Sequence, residues 1–82
     1  MHGNSPASQR ARLLRHLKHH GRLTTIAART ELDVMHPAAR VMELRERGWR
    51  IVTRWTVATT PAGNRHRVGE YHLLGGPADA RP

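Results

Sequence analysis

The sequence contains no cysteine and no phenylalanine, and its only lysine is Lys18. A chain without cysteine cannot form a disulfide, a thiolate zinc site or a cysteine nucleophile. It also lacks an apolar run of signal-peptide length, and none of its segments approaches the roughly 18 apolar residues of a membrane span. These absences favour a protein that stays in the cytoplasm.

Motifs for common kinds of catalysis are missing as well. There is no HExxH and no glycine-rich phosphate-binding loop. Glu43 and Glu46 lie among arginines, which are poor surroundings for raising the pKa of a carboxyl group. His16 and His20 have the i, i+4 spacing of a zinc or nickel pair, with His19 between them, but the sequence supplies no further ligand nearby. We therefore expect no enzymatic activity, no cofactor and no metal site.

Basic residues outnumber acidic ones by 14 to 6, which gives a formal net charge of +8 with neutral histidines. Since nearly all of the basic residues are arginine, planar guanidinium groups carry the charge, and these match phosphate oxygens and guanine edges. GC-rich coding can also produce an arginine bias, but the net charge is the same under either explanation. The composition therefore points to a nucleic acid as the partner.

Capping residues predict two helices in the first part of the chain. Ser8 is an N-cap for a helix over 9–20, which Gly21 ends. Thr24 is an N-cap for a short second helix that runs toward Leu32. The alanines of this second helix allow a neighbouring helix to approach closely.

A third helix is predicted over 37–47. Asp33 tolerates the tight turn before it, Pro37 suits its first position, and Gly48 is its natural stop. Its apolar spacing gives one face for a core and leaves the other free for a partner. The core face is Pro37, Val41, Leu44 and Gly48, and the opposite side carries His36, Ala39, Arg40, Glu43, Glu46 and Arg47.

Beyond the third helix, apolar residues recur at every second position. Segment 49–57 predicts a half-buried strand, 58–67 supplies turn residues, and 68–74 predicts a returning strand. The two strands form a β-hairpin with a basic loop. The strand spacing favours a place in the core for the aromatic side chains, and the alternative is that they stack on the bases of a single strand. These residues are Trp49, Trp55 and Tyr71.

Three helices followed by a hairpin, with a very short second helix, is the layout of a winged helix-turn-helix, an α+β fold. We place this domain at 8–74, between flexible ends at 1–7 and 75–82. In this fold the second helix braces the third, which projects its outer face into a major groove. The two-stranded hairpin then forms a wing over the DNA backbone or the minor groove.

The chain resembles the small helix-turn-helix proteins of phages and prophages, including regulator-like and excisionase-like members. The resemblance covers roughly residues 8–74 and is densest in LTTIAARTELDVMHPAARVMELRERGWRI. A glycine is common in that family where this chain has Asp33. The resemblance implies a DNA-binding fold and does not separate repressor, activator and recombination accessory. The matching positions are Leu23, Thr24, Ala28, Leu32, Val34, Arg40, Val41, Leu44, Arg45, Gly48 and Ile51.

Recognition helices present their N-terminal residues to base edges, so we expect the sequence to be read by His36, Ala39, Arg40 and Glu43. Arg40 can donate two hydrogen bonds to a guanine, or it can brace the fold by pairing with Glu43 or with an acid of the second helix. Ala39 can contact a thymine methyl, or its only role can be that alanine favours the helical conformation. Glu43 can accept from cytosine or hold an arginine in position, but the favoured role is a pair with Arg47 on a solvated face.

A second set of side chains is expected to hold the DNA backbone. Hydroxyl and N–H groups at a helix start grip phosphates, and Thr24 can do so while also serving as N-cap. We expect phosphate contacts from the arginines that lie late in the third helix, just after it and around the hairpin tip. The alternative for the hairpin tip is a solvated loop that does not contact DNA. The full set is Thr24, Thr25, Arg47, Arg50, Arg54, Arg65, His66 and Arg67.

Together these features favour a sequence-specific double-stranded DNA-binding protein, a transcriptional regulator of the phage or prophage type that is cytoplasmic and associated with the nucleoid. We expect a second copy on an adjacent half-site, since one such module buries little surface. Neither a membrane nor a small-molecule substrate is expected. One alternative is an excisionase-like factor that bends DNA for a recombinase, and the other is a winged-helix module that docks a protein.

Overall fold

Three helices and a three-stranded antiparallel sheet make up residues 3–77, the part of the chain that the computed structural model describes. The order of the elements confirms the predicted α+β class, with three helices before a hairpin. The elements are α1 (Pro6–His20), β1 (Arg22–Thr24), α2 (Thr25–Glu31), α3 (Pro37–Glu46), β2 (Arg50–Thr59) and β3 (Arg65–Gly75).

Helix α1 begins at Pro6, earlier than predicted. Its N-cap is Ser5, whose hydroxyl oxygen accepts from the N–H of Ser8 at 3.1 Å. The predicted cap at Ser8 is wrong because a proline at the first helical position needs no N–H partner and starts the helix sooner. The structure therefore includes two residues of the predicted flexible segment 1–7 in α1. Of the predicted flexible ends, residues 1–2 and 78–82 lie outside the described residues.

The sheet has a strand that the sequence did not indicate. Strand β1 pairs with β3, with Leu23 opposite Tyr71, and the strand order is β1-β3-β2. The expected two-stranded wing is thus part of a three-stranded sheet. A strand of three residues is too short to show a period of two, so only its pairing with a distant strand reveals it.

The connection from α2 to α3 follows the predicted turn chemistry. Thr24 caps α2, and its hydroxyl oxygen accepts from the N–H of Ala27 at 3.0 Å. Asp33 adopts a left-handed conformation with φ of 55°, which confirms the tight turn expected there. Val34 is fully buried, and its N–H donates to the carbonyl of Ala28 at 3.0 Å. The turn therefore fixes α3 close to α2.

Replacing Asp33 by glycine is expected to raise the free energy of unfolding by about 0.5–1 kcal/mol. A left-handed conformation costs a residue with a Cβ about 1–2 kcal/mol, and the greater chain entropy of glycine offsets part of that gain. The carbonyl of Asp33 keeps its hydrogen bond from Arg12 in the variant. Urea unfolding followed by circular dichroism measures the change, and Asp33→Val should shift it in the opposite direction. A glycine variant less stable than the original chain would contradict this account.

The core lies where α1, α2 and α3 pack on the inner face of the sheet. Its buried residues are Leu13, Leu17, Leu23, Ala28, Val34, Val41, Leu44, Ile51 and Tyr71. Among the helices described, none combines the length and apolarity that crossing a bilayer requires.

The predicted burial of the aromatic residues is right for Tyr71 and largely right for Trp49, which is half-buried against the core. It is wrong for Trp55, which is 63% exposed. Burial along β2 is confined to its first residues, because the hairpin then extends past the helices. The alternation of apolar residues continues into the wing, where none of the described elements packs on it.

Candidate nucleic-acid interface

Helix α3 presents one free face. Its buried side consists of Pro37, Val41 and Leu44, as predicted, whereas Gly48, also predicted on that side, is exposed because it follows the end of the helix. Proline at the first position starts the helix, and His36 before it is exposed and makes no side-chain capping hydrogen bond. Elsewhere on the helix surface, Ala39, Arg40 and Glu43 are half-buried, whereas the exposed residues are Ala38, Met42, Arg45 and Glu46.

Arg40 and Glu43 are engaged with each other. One carboxylate oxygen of Glu43 accepts from Arg40 at 3.1 Å, and the other accepts from Arg10 of α1 at 2.7 Å. The hydrogen bond from Arg10 is the largest of several effects that lower the pKa of the Glu43 carboxyl group. The Arg40 side chain is only 15% exposed. The structure therefore contains the alternative considered for Arg40, an ion pair within the fold.

The predicted side-chain pair between Glu43 and Arg47 is wrong. Arg47 donates instead to the backbone carbonyl of Glu43 at 3.0 Å. The Glu43 carboxylate accepts a hydrogen bond from Arg10 instead. Arg10 is 33 positions away in the chain, so the i, i+4 spacing of a helix could not predict this pair. Glu43 thus joins α1 to α3, and its charge is neutralised from both sides.

Arg45 joins α3 to the sheet, a role that sequence reasoning missed. Its Nε donates to the carbonyl of Ile51 at 2.8 Å, and its Nη2 donates to the hydroxyl of Thr53 at 3.1 Å. Arg45 is nevertheless an exposed residue. Its guanidinium group therefore adds positive charge along the junction between α3 and β2.

The start of α2 lies beside the base of the wing. Thr24 uses its hydroxyl as the cap, and the next residue, Thr25, is half-buried. A Cβ built on Gly69 of β3 would lie 3.6 Å from Cγ2 of Thr25 and 3.6 Å from Cγ2 of Thr53. Thr25 thus lies close to the same part of β2 that Arg45 contacts, and Thr24 precedes it at the end of β1.

The wing divides the predicted backbone contacts between two faces. Side chains alternate along a strand, and paired residues point the same way, so Arg65 and Arg67 share a face with Trp55. This face continues into the side of the sheet that packs on the helices, and we call it the inner wing face. Arg54 and His66 lie on the opposite face of the hairpin.

The arginines and Trp55 of the inner wing face are exposed. The guanidinium of Arg67 lies 5.0 Å from the ring centroid of Trp55, a cation–π contact that orients both side chains. The turn is closed by the N–H of Thr60, which donates to Asn64 at 2.8 Å, and by Gly63 with φ of 88°. Arg50 pairs with Gly75 at the far end of the hairpin and is not brought near this group.

A family model described as a winged helix-turn-helix domain matches residues 8–75. The chain belongs to this family. Searches of curated proteins and of solved structures gave no match. Membership indicates DNA binding in general, and winged helix-turn-helix domains are typically non-enzymatic.

Three histidines of this winged helix-turn-helix domain lie near the C-terminal end of α1, namely His16, His19 and His20. The ring centroids of His16 and His20 are 4.4 Å apart. Partial burial is the main effect that lowers the pKa of His16 from its ordinary value, and the nearby His20 ring lowers it further. Within residues 3–77, no group of three or more histidine, aspartate or glutamate side chains is arranged to hold a metal ion. An adjoining cavity of about 350 Å³ is lined by Arg12, Arg15, His16, His19, His20 and Leu32.

Alanine substitution is expected to destabilise the protein at one tryptophan and to have almost no effect on stability at the other. Trp49→Ala should lower the free energy of unfolding by about 2 kcal/mol, because the ring packs on the core and lies under the Lys18 ammonium at 4.8 Å. Trp55→Ala should change it by less than about 0.5 kcal/mol, since the ring is mostly exposed. Urea unfolding of both variants measures the difference. A large loss in the Trp55 variant would show that the wing contributes to the core.

Proposed function

We propose that this winged helix-turn-helix protein is a sequence-specific double-stranded DNA-binding regulator of transcription, of the phage or prophage type. Helix α3 enters the major groove, and the wing at 58–67 holds the backbone. The observation that carries the proposal is the adjacency of the outer side of α3, the start of α2 and the inner wing face. Arg45 and Thr53 link them, and the chain bears a net charge of +8.

Base reading falls to the residues of α3 that are free to reach a groove. His36 is exposed, and half-buried Ala39 is small enough to permit close approach. Arg40 and Glu43 are held by each other and by Arg10, so we assign them to positioning α3 against α1. They would contact bases only if that ion pair opened.

Backbone contacts fall to the edges of the same surface. Thr24 and Thr25 at the start of α2 suit one phosphate strand, and Arg47 lies past the last turn of α3. Arg65 and Arg67 reach a strand from the inner wing face. The remaining predicted contacts need a different path of the DNA, because Arg50 is at the far end of the hairpin and Arg54 and His66 lie on its other face. A hairpin tip inserted edge-on into the minor groove would bring both wing faces to phosphates.

A second copy on an adjacent half-site belongs to the proposal, since one module of this size buries too little surface for strong specificity. The cytoplasmic, nucleoid-associated location stays a prediction that follows from DNA as the partner.

Selection of bound duplexes from a randomised pool at near-physiological salt tests the function. An enriched motif is the expected result, and a repeated motif would give the spacing of half-sites. Salt-sensitive binding without enrichment would replace the regulator by an excisionase-like factor that bends DNA. No binding to any duplex would overturn the proposal in favour of a winged-helix module that docks a protein.

A further inference from the structure

The outer side of α3 carries an apolar stripe, which we define as Met35, Ala38 and Met42. Ala38 and Met42 are spaced i, i+4 and share one side of α3, and Met35 lies two residues before the helix begins at Pro37. Met35 is 52% exposed and Met42 is 60% exposed, so these are two of the five large exposed hydrophobic side chains within residues 3–77. The stripe has no covering element among the described residues, and its chemistry is unusual for a surface in so basic a chain.

Arginines border the apolar stripe. Arg29 of α2 donates from Nε to the carbonyl of Met35 at 3.3 Å, and Arg45 borders the stripe on the β2 side. Arg40 pairs with Glu43 on the side of α3 that faces α1. The middle of α3 therefore offers little hydrogen-bonding capacity to base edges, while its surroundings attract a polyanion. This charge favours DNA over a protein as the occupant of the stripe.

We propose that the apolar stripe reads the C5-methyl groups of thymine in the major groove, an inference that rests on the proposed function. The thymine methyl is the one apolar group among the base-edge features that the major groove presents. Methionine is unbranched and polarizable, so it adapts to a methyl at more than one depth. Ala38 keeps the helix narrow enough for the methionines on either side to approach the bases. The preferred sites should therefore place thymines opposite α3.

The test compares the selected duplex with a copy in which deoxyuridine replaces every thymine. Uracil keeps each hydrogen-bonding group of thymine and lacks only the methyl. Binding should weaken about fourfold for each contacted methyl, the factor that corresponds to burying one methyl-sized group. Fluorescence anisotropy at constant salt measures the ratio of the two affinities.

Met42→Gln connects the methyl effect to the stripe. Glutamine has nearly the same length but a polar end, and the site is exposed, so the variant should keep its stability and lose most of the preference for thymine. Leu74→Gln is the control, because Leu74 is 51% exposed and lies near the end of β3 remote from the wing tip. The Leu74→Gln variant should show the same ratio of affinities for the thymine and deoxyuridine duplexes as the original chain. The thymine methyl could also change affinity by changing the stiffness of the DNA, and that effect would remain in both variants. A loss of the thymine preference in Met42→Gln alone therefore reports direct contact with the methyl.

Equal binding of thymine and deoxyuridine duplexes by the original chain would overturn the inference and leave DNA recognition intact. This arm needs no variant and stands even if Met42→Gln fails to fold. A methyl preference that survives in a folded Met42→Gln would also overturn the assignment to the stripe. Failure to bind any duplex would instead overturn the proposed function itself.

Discussion

Replacing both Arg65 and Arg67 by alanine is expected to weaken binding to every duplex by about tenfold or more, with little change in base preference. Each phosphate contact contributes counterion release, so the loss of two contacts should reduce the slope of log affinity against log salt by about 1.8. The two side chains lie together on the inner wing face, and Arg67 is oriented by Trp55. Anisotropy titrations over a range of salt concentrations give both quantities.

The matched control removes two arginines elsewhere. Arg15→Ala combined with Arg22→Ala makes the same change in net charge at exposed positions beside His16 and His20, away from the wing tip. This variant should lose much less affinity and keep most of the salt slope. Equal losses in the two double variants would mean that binding depends on overall charge, and the wing would then have no special role.

Replacing Ala28 by leucine is expected to lower the free energy of unfolding by about 3 kcal/mol. Ala28 is fully buried in the core cluster with Val34 and Val41, and its carbonyl holds the turn through the N–H of Val34. A larger side chain there must push α2 and α3 apart, because the interior has no free space to accept it. Such a loss is a large part of the stability of a domain this small. Urea unfolding measures it.

Ala38→Leu is the matched control, since it adds the same atoms to an exposed position of α3. Its stability should change by less than about 0.5 kcal/mol. Similar losses in the Ala28 and Ala38 variants would contradict the packing described here. Preserved stability in Ala28→Leu would show that α2 and α3 can separate without loss of stability. Packing against α2 would then not be what holds α3 in position.

Local chemistry accounts for what was predictable about the fold. Thr24 as a cap, Gly21 as a helix end, Asp33 in a tight turn and Pro37 at a helix start each depend on groups within a few residues. The structure confirms all of them. The misplaced start of α1 belongs to the same class, because the signal was present at Ser5 and the proline that follows it.

The errors in the candidate site have a common cause in contacts between distant segments. Glu43 takes Arg10 as a partner instead of Arg47, and β1 exists only because β3 passes beside it. Trp55 continues an apolar alternation that no helix covers. A periodicity specifies which side chains share a face, and it cannot specify whether another element packs on that face.

The amino-acid sequence therefore predicted correctly the order of the helices and the hairpin, the cap of α2, the tight turn before α3, the buried side of α3 and the positive charge that points to DNA. These depend on neighbouring residues and on composition. Tertiary contacts, in contrast, set which arginines are held in ion pairs, where the aromatic rings lie and which side of the wing adjoins α3. Those outcomes depend on which elements meet, since burial and ion pairing are set by partners that the chain brings together from far apart.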